Sequence, residues 1–514
     1  MRRWITRGPV AALTMLGIVV TTLGIGMAQT QTATIKSVAA SDNQTQKILH
    51  LLNRITYGPR PGDIEAVKKI GIEHYIQMQL NPASVHEDPN LATYLGREDT
   101  LQMSPMALFD QYGPILDPRL TQAQKQLQNK DRREAARQVI QEAIENRVLR
   151  SLYSERQLQE VMTEFWFNHF NVSMRKGFDY VWIGSYERDA IRPYALGRFR
   201  DLLEATSHNP AMMFYLDNWL NTAPTSPGAR GRFTGINENY ARELMELHTL
   251  GVNGGYTQQD VISLAHILTG WGIPLRPRER GNITENGFYF DESRHDETPN
   301  KVLMGQVIRG RGEGEGEAAL DMLARNPATA KHISYQLAQY FVSDNPPAPL
   351  VSKMSQTFLS TDGNIRAVLD TMLHSSEFWD SATYNAKFKP PYRFVISALR
   401  ATAQPVDNVQ PLESTLTQMG MPLYLHETPD GYKYIQSAWL DPDAIIRRIS
   451  FATAIGVGVL PLDRNLQKQP QADANALYET LGGVFSQNTT NAIEKAPQRL
   501  QAAMVLGSPE FMKY

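Results

Sequence analysis

The 514-residue chain carries 51 basic and 53 acidic residues, which give a formal net charge of -2 at pH 7. Apolar residues make up 42% and charged residues 20%, a composition that excludes a disordered chain and predicts a globular body too long for one ordinary core. The charge balance offers no basic surface for nucleic acid. Since the sequence has no cysteine, disulfides, thiolate metal sites and cysteine nucleophiles are excluded, and any metal must be held by imidazole or oxygen ligands.

The first 28 residues have the pattern of an export signal. Arginines at the start precede an apolar stretch, 10–24, and small residues at 26–28 form a cleavage pattern. We expect cleavage there, export to the periplasm or the medium, and no transmembrane domain in the mature chain. An uncleaved anchor is the alternative, because the apolar stretch approaches spanning length. Residues 29–45 are then expected to form a flexible N-terminal segment.

Helical patterns dominate the chain that follows. The longest runs from 120 to 170. Its first part is highly charged and is expected to be solvated, and its second part becomes amphipathic. Another helix is expected over 257–269, because Thr257 can accept hydrogen bonds from its free first-turn N–H groups. Since alternating, strand-like stretches are scarce, the sequence predicts an all-α fold.

The segment 277–309 differs from its neighbours, because it is polar and contains short β-like runs. We expect a minor β-hairpin excursion there. The alternating glycines and charges of 310–316 are typical of a flexible tether. These breaks divide the mature chain into an N-terminal helical region, 46–309, which carries the candidate site, and a C-terminal helical region, 317–514.

The densest cluster of polar residues lies at 237–248 and is expected to form one helix. Residues three and four apart share a face of an α-helix, so Glu243 and Glu246 lie on one stripe and Arg242 is expected to pair with Glu246. Glu243 and Glu246 are candidates for a metal or general-base role, and Arg242 for orienting a carboxylate. The alternative is a structural ion-pair network on a half-buried helix.

The same run supplies further candidates. His248, near the expected helix end, is a candidate metal ligand. The candidate substrate contacts of the run are Asn237, Glu238 and Asn239.

Four aromatic residues surround His169 in the run 164–171. Desolvation among them favours the neutral imidazole, which is the form that a metal binds. His169 is therefore a candidate metal ligand, and the alternative is a core histidine bonded to a backbone carbonyl.

The remaining candidates lie outside these two runs. His295 is in a polar loop, where it needs no structural partner, so a role as a metal ligand from a separate segment is favoured. Asp217 and Asn218 follow an apolar helix and are candidates for substrate binding, although a cap and turn are favoured. His208 and His266 are weaker candidates for metal ligands, because we expect no carboxylate at metal-ligand spacing on the helix of either residue.

Several segments together resemble a bacterial family catalogued as domain of unknown function 1800. They are 51–59, 165–170, 237–258, 268–271, 295–296 and 326–330, and the run Asn-Glu-Asn-Tyr-Ala-Arg-Glu-Leu at 237–244 is highly specific. The resemblance extends from about residue 45 to the end. It implies an exported, large, mainly helical protein, and an exported sulfatase-like partner, since genes of the two kinds often lie side by side. Phe167 departs from the pattern, because many members have a second histidine there, and this weakens a metal role for that segment.

Three functions follow from these observations. The first is an exported cell-envelope enzyme with a His/carboxylate site, assisted by a divalent metal, while its substrate and cofactor stay undefined. The second is a helical scaffold that binds an envelope polymer or an enzyme partner. The third is polysaccharide processing by paired carboxylates, with Trp166, Trp219 and Trp271 stacked on sugar rings.

Overall fold

The computed structural model describes residues 43–117, 119–275, 286–309, 311–465 and 469–514. The predicted export signal, 1–28, and all but the end of the predicted segment 29–45 lie outside these ranges. Within them, no helix combines the length and the apolar character that a membrane crossing requires.

The first α-helices of the described chain follow local capping signals. Thr121 and Gln124 form a capping box at the start of the sixth of these helices, Gln122–Tyr153. The first half of this 32-residue helix is mostly exposed and the second half packs inward, as its charge pattern predicts. The seventh is buried along nearly its whole length, so it lies inside the core. These helices are α1 (Asn43–Ile55), α2 (Asp63–Ile70), α3 (Ile72–Leu80), α4 (Pro89–Leu95), α5 (Pro105–Tyr112), α6 (Gln122–Tyr153) and α7 (Gln157–His169).

Short helices and tight turns follow. Thr257 caps the helix Gln258–Ile267 through a capping box with Asp260, which confirms the predicted cap. Two of the short helices continue into π-helical turns, Tyr186–Ile191 and Leu244–Thr249. The α-helices are α8 (Ile183–Ser185), α9 (Phe199–Ser207), α10 (Pro210–Tyr215), α11 (Asn239–Glu243) and α12 (Gln258–Ile267). Short 3-10 turns lie at Pro82–Ser84, Asp99–Gln102, Asp179–Val181, Arg192–Tyr194, Asn218–Leu220, Glu292–Arg294, Ser381–Thr383 and Gln436–Ala438.

The β-structure of the described chain consists of two short antiparallel pairs. Strand β1 (Trp271–Gly272) pairs with β2 (Tyr289–Phe290), and β3 (Val302–Leu303) pairs with β4 (Gln306–Val307). The predicted minor β excursion around 277–309 is therefore confirmed, although its first strand precedes residue 277. Part of the predicted excursion, 277–285, lies outside the described residues.

The C-terminal helices begin inside the segment that was expected to be a tether. The first of them starts at Glu313 and includes Gly314 and Gly316. A β-carbon on Gly316 would lie 2.1 Å from Cζ2 of Trp271, so glycine is needed for the helix to pack against this ring. The tether prediction is wrong for 313–316. The helices are α13 (Glu313–Ala324), α14 (Pro327–Phe341), α15 (Ala348–Ser360), α16 (Ile365–Leu373), α17 (Pro391–Thr402), α18 (Gln410–Gln418), α19 (Pro442–Gly456), α20 (Ala474–Thr480), α21 (Gln487–Lys495) and α22 (Gln498–Leu506).

One hydrophobic core includes residues from both of the predicted helical regions. Arg54 on α1 donates from Nη1 to the carbonyl of Phe341 on α14 at 3.0 Å. Arg393 on α17 donates from Nη1 to the carbonyl of Thr56, which directly follows α1, at 2.7 Å. Because these bonds are buried, they stabilise the packing of the chain's first helix against its C-terminal helices. The all-α prediction is confirmed, and the two predicted regions share a core.

Candidate functional site

Helix α11 and the π-helical turn Leu244–Thr249 contain the polar run that stands out in the sequence. Most apolar side chains of this element and His248 are buried, whereas Arg242, Glu243, Glu246 and Leu247 are partly exposed. The sequence predicts one regular helix here, and the π turn is a departure from it. π-Helical turns are rare in proteins, and those that occur lie frequently at functional sites. The backbone therefore marks the partly exposed stripe as a candidate site.

Two carboxyl groups lie together on that stripe. Glu243 is half-buried, and within the described chain its side chain takes part in no hydrogen bond or ion pair. Burial raises the pKa of Glu243 above its usual value, the charges of Glu246 and Asp430 raise it further, and Arg242 opposes the shift. Glu246 accepts a hydrogen bond from the hydroxyl of Tyr256 at 3.2 Å. Glu243 is therefore a carboxyl group that holds its proton to higher pH than an exposed one.

Asp430, in the loop before α19, is the third acid of this site and has the opposite tendency. Its carboxylate accepts hydrogen bonds from Lys433 Nζ and Thr428 Oγ1, both at 2.6 Å. Burial opposes ionisation of Asp430, but these hydrogen bonds outweigh it and lower its pKa. The surroundings thus separate the pKa values of Glu243 and Asp430, which is how one site provides an acid and a base at the same pH.

The loop that carries Asp430 is fixed to the body by polar contacts. Asn171 Nδ2 donates to the carbonyl of His426 at 3.1 Å, and the hydroxyl of Tyr215 donates to another carbonyl of the loop at 2.7 Å. Burial lowers the pKa of His426, whose Nε2 lies 3.7 Å from Asp430 Oδ1. Sequence reasoning missed Asp430 and His426, because the run at 426–431 ends in Pro-Asp-Gly and resembles an ordinary turn.

Arg242 does not form the expected pair with Glu246. Its Nη2 donates to Glu238 Oε2 at 2.9 Å and to Gln258 Oε1 at 3.0 Å. Gln258 in turn donates from Nε2 to Glu238 at 2.8 Å. The prediction is wrong because a residue four positions earlier on a helix is as close as one four positions later, and Gln258 on α12 favours the earlier partner.

The amides before α11 also have local partners. The backbone N–H of Asn237 donates to Asn221 Oδ1 at 2.9 Å, and Asn237 Oδ1 accepts from the N–H of Asn239 at 3.0 Å. Asn239 Nδ2 donates to the carbonyl of Leu216 at 3.2 Å. These bonds fix the start of the helix, so Asn237, Glu238 and Asn239 position α11. Their predicted substrate contacts stay predictions.

Asp217 and Asn218 lie in a turn, which was the structure favoured from the sequence. Asp217 has a left-handed backbone, with φ of 60°, and its carboxylate accepts from Lys176 Nζ at 2.8 Å. Asn218 is fully buried, and its Oδ1 accepts from Asn221 Nδ2 at 3.3 Å. Only Asp217 is exposed enough to meet a substrate directly.

The structure brings His169 and His248 together with a third histidine that sequence reasoning missed, His332. The His169 ring centroid lies 6.1 Å from that of His248 and 6.4 Å from that of His332. His169 Nε2 donates to the carbonyl of His248 at 3.1 Å, as its alternative reading expects. Burial lowers the pKa of His169 to about 3 and lowers that of His248 strongly. His169 and His248 are therefore buried groups whose surroundings favour the neutral imidazole, whereas His332 is partly exposed.

His295 belongs to a separate cluster. It is 2% exposed, its Nδ1 donates to the carbonyl of Thr269 at 2.8 Å, and its ring contacts Phe290 on β2. Its Nε2 lies 3.4 Å from Glu315 Oε2, which accepts from Lys301 Nζ at 2.7 Å. The expectation that His295 needs no structural partner is wrong, because the β1–β2 pairing folds its loop onto the body.

One set of His and carboxylate residues in the described ranges brings three possible metal ligands within 4.8 Å of one another, namely Glu204, His208 and Glu317. None of the predicted ligands belongs to it. His208 was ranked low for lack of a carboxylate at metal-ligand spacing, yet Glu204 in α9 lies four residues before it, a spacing that the sequence displays, and His208 directly follows the end of this helix. Glu317 comes from α13 and could not be paired with them by periodicity.

The model of a family described as "Protein of unknown function (DUF1800)" matches residues 50–513. The chain belongs to this family, as the resemblance of its motifs implies. No curated protein and no solved structure matches the chain.

Proposed function

We propose that this DUF1800 protein is an exported hydrolase in which Glu243 donates a proton and a neighbouring carboxylate, Asp430 or Glu246, acts as the base. The observation that carries the proposal is the opposite tendency of two interacting acids, since the pKa of Glu243 is raised and that of Asp430 is lowered. An acid–base pair needs one protonated and one ionised group at the same pH. Export rests on the pattern of residues 1–28.

The hydrolysis can be written with these groups alone. Glu243 gives its proton to the leaving-group oxygen while the bond to that oxygen breaks. The ionised carboxylate takes a proton from water while the water oxygen bonds to the carbon atom. Water is consumed, two hydroxyl-bearing fragments or a fragment and an acid are released, and proton exchange with solvent restores both groups. Tyr256 holds Glu246 beside Glu243 through its 3.2 Å hydrogen bond.

An envelope polymer, and a polysaccharide in particular, is the substrate class that fits, because paired carboxyl groups of this kind commonly cleave glycosidic bonds. Sugar stacking on tryptophan is not part of the proposal, since Trp166 and Trp271 are fully buried and Trp219 is 8% exposed. A metal ion on this stripe is not part of it either, because His169 and His248 are interior and His295 has other partners.

A scaffold role is the second candidate, and the network of Arg242, Glu238 and Gln258 favours it. These side chains bond one another on the surface between α11 and α12. They fix one helix against another without leaving a group free for chemistry. On this account the polar run keeps the helices in register, and the chain binds its envelope partner elsewhere.

The test is release of new reducing ends from purified envelope polysaccharides by the mature protein, measured between pH 2 and pH 8, a range that extends below the ordinary aspartate pKa of about 3.9. We expect Glu243→Gln to lower the rate by about 100-fold or more, since a general acid contributes about 10²–10⁴. The matched control is Glu413→Gln on α18, because Glu413 is also half-buried and burial raises its pKa, but no second acid contributes to the shift. This control should keep the full rate.

The rate should pass through a maximum with pH. It should fall as pH rises through the pKa of Glu243, because the donor is then ionised, and fall again as pH drops through the lowered pKa of Asp430. Equal rates for wild type and Glu243→Gln on every cleaved polymer would overturn the proposal.

A further inference from the structure

The C-terminal end of α9 and the start of α13 bring three possible ligands together. We infer that Glu204, His208 and Glu317 form a binding site for one divalent transition-metal ion of the Zn²⁺ or Mn²⁺ class. Glu204 and His208 are four residues apart and share a helix face, and Glu317 meets them from α13. The site uses none of the groups of the proposed function and stands independently of it.

Two buried atoms of this cluster lie close together. His208 Nε2 lies 2.9 Å from Glu317 Oε1, which is an ion-pair distance, and within the described residues neither atom has a hydrogen bond to any third group. Two ligand atoms that lie about 2.1 Å from one cation at 90–109° to each other are separated by about 3.0–3.4 Å. The observed distance is just below that range, so the two atoms lie close enough together to bind one cation.

Arg200 fixes the two carboxylates and leaves oxygens free. Its Nη1 donates to Glu204 Oε2 at 2.7 Å, and its Nη2 donates to Glu317 Oε2 at 2.6 Å. Glu317 therefore keeps Oε1, and Glu204 keeps its other oxygen, for a cation. Arg200 and Arg325 both contact Asp321 as well, so two guanidinium groups face three carboxylates, and the cluster stays negative. Outer groups that orient ligands in this way are usual around protein metals.

The imidazole is held as rigidly as the carboxylates. His208 is 8% exposed, its ring stacks on Phe288 with centroids 3.9 Å apart, and it meets Trp271 edge-on at 4.7 Å. By contrast, 46% of the Glu204 side chain and 31% of the Glu317 side chain are exposed. A cation can therefore enter from solvent on the carboxylate side and keep water ligands there.

The donor set selects the class of metal. One imidazole nitrogen and two carboxylate oxygens suit Zn²⁺, Mn²⁺ and Fe²⁺, whereas Mg²⁺ and Ca²⁺ prefer oxygen ligands throughout. Three protein ligands with an open side are also the usual number in a catalytic zinc site.

The experiment uses the intact mature protein, from which a chelator has removed any bound metal. Calorimetric titration with ZnCl₂ and with MnCl₂ should each give one strong site per chain. His208→Gln and Glu317→Gln should weaken binding by about 100-fold or more, because second-layer changes alone cost 10–100-fold. The matched control is His374→Gln, since His374 also lies between two carboxylates, Glu73 and Asp370, but has hydrogen bonds from both ring nitrogens. It should bind metal as wild type does.

A second measurement decides the case if these variants fail to fold. The Mn²⁺-loaded wild-type protein should show the spin-echo modulation of a coordinated imidazole nitrogen, and the exposed variant Glu204→Gln should fold and bind more weakly. Two results would overturn the inference: no stoichiometric binding of either ion, or binding whose affinity and nitrogen signal survive His208→Gln.

Discussion

Replacement of Glu243 by glutamine separates an enzyme site from a structural network. The enzyme account places a carboxyl group there at some cost to folding, because burial and two neighbouring acids raise its pKa. The folded protein then keeps the Glu243 proton to higher pH than the unfolded chain does. Wild-type stability therefore falls as pH rises from the ordinary carboxyl pKa through that of Glu243. Glutamine has no proton to lose, so the variant escapes this loss.

The size of the effect follows from the exposure of the site. Glu243 is half-buried, so solvent screens its charge, and the variant should gain about 0 to 1 kcal/mol over wild type at pH 8 and nothing at pH 4. From the unfolding entropy per residue, about 1 kcal/mol corresponds to a shift of about 1 °C in Tm for a body of this size. Breaking a buried, paired network would instead cost about 3–5 kcal/mol at both pH values.

Urea denaturation of wild type and Glu243→Gln at pH 4, 6 and 8 measures this difference. The enzyme account expects the variant to be as stable as wild type at pH 4 and equal or more stable at pH 8. A loss of more than about 2 kcal/mol at every pH would refute the reasoning, because it would show that Glu243 is paired in a buried structural network.

Three further predictions concern the framework. Glu187→Gln should lower the free energy of unfolding by about 3–5 kcal/mol in urea denaturation, because Glu187 is 2% exposed, Arg147 would lose its buried ionic partner and Arg192 would keep only Glu160. In α13, Gly316→Ala should destabilise the protein by about 1–3 kcal/mol, because the new β-carbon clashes with Trp271. Gly314→Ala should instead stabilise it by up to about 1 kcal/mol, because a β-carbon there meets nothing within 4 Å. Equal Tm values for the two variants would contradict this packing. Thr257→Ala should lower the free energy of unfolding by about 1 kcal/mol, and an unchanged urea midpoint would show that the cap contributes nothing.

The fold class was predictable because helical periodicity and capping are local properties of the sequence. Thr257 and the charged first half of α6 are examples, since neighbouring residues alone decide their structure. Gly316 is the opposite case. Alternating glycines suggest a tether, and only the distant ring of Trp271 explains why glycine is required in a helix there.

The candidate site was predictable only in part. The stripe of Glu243 and Glu246 could be derived from helical spacing, but the choice of Glu238 as partner of Arg242 depends on α12. Asp430 could not be found, because its contribution to the pKa of Glu243 depends on a loop far along the chain.

Histidine roles were the least predictable. The polar loop around His295 gives no sign of partners, yet the folded chain places Thr269 and Glu315 against its ring. For His208, the spacing to Glu204 was available in the sequence, but only the packing of α13 supplies the third ligand, Glu317.

The most direct measurement is the pH titration of the Glu243 carboxyl group by ¹³C NMR on glutamate-labelled protein, with the signal assigned by its loss in Glu243→Gln. We predict a pKa above the ordinary glutamate value of about 4.3, and a smaller elevation in Asp430→Asn, because one of the two repelling acids is then neutral. A titration at or below the ordinary value, unchanged by Asp430→Asn, would contradict the account.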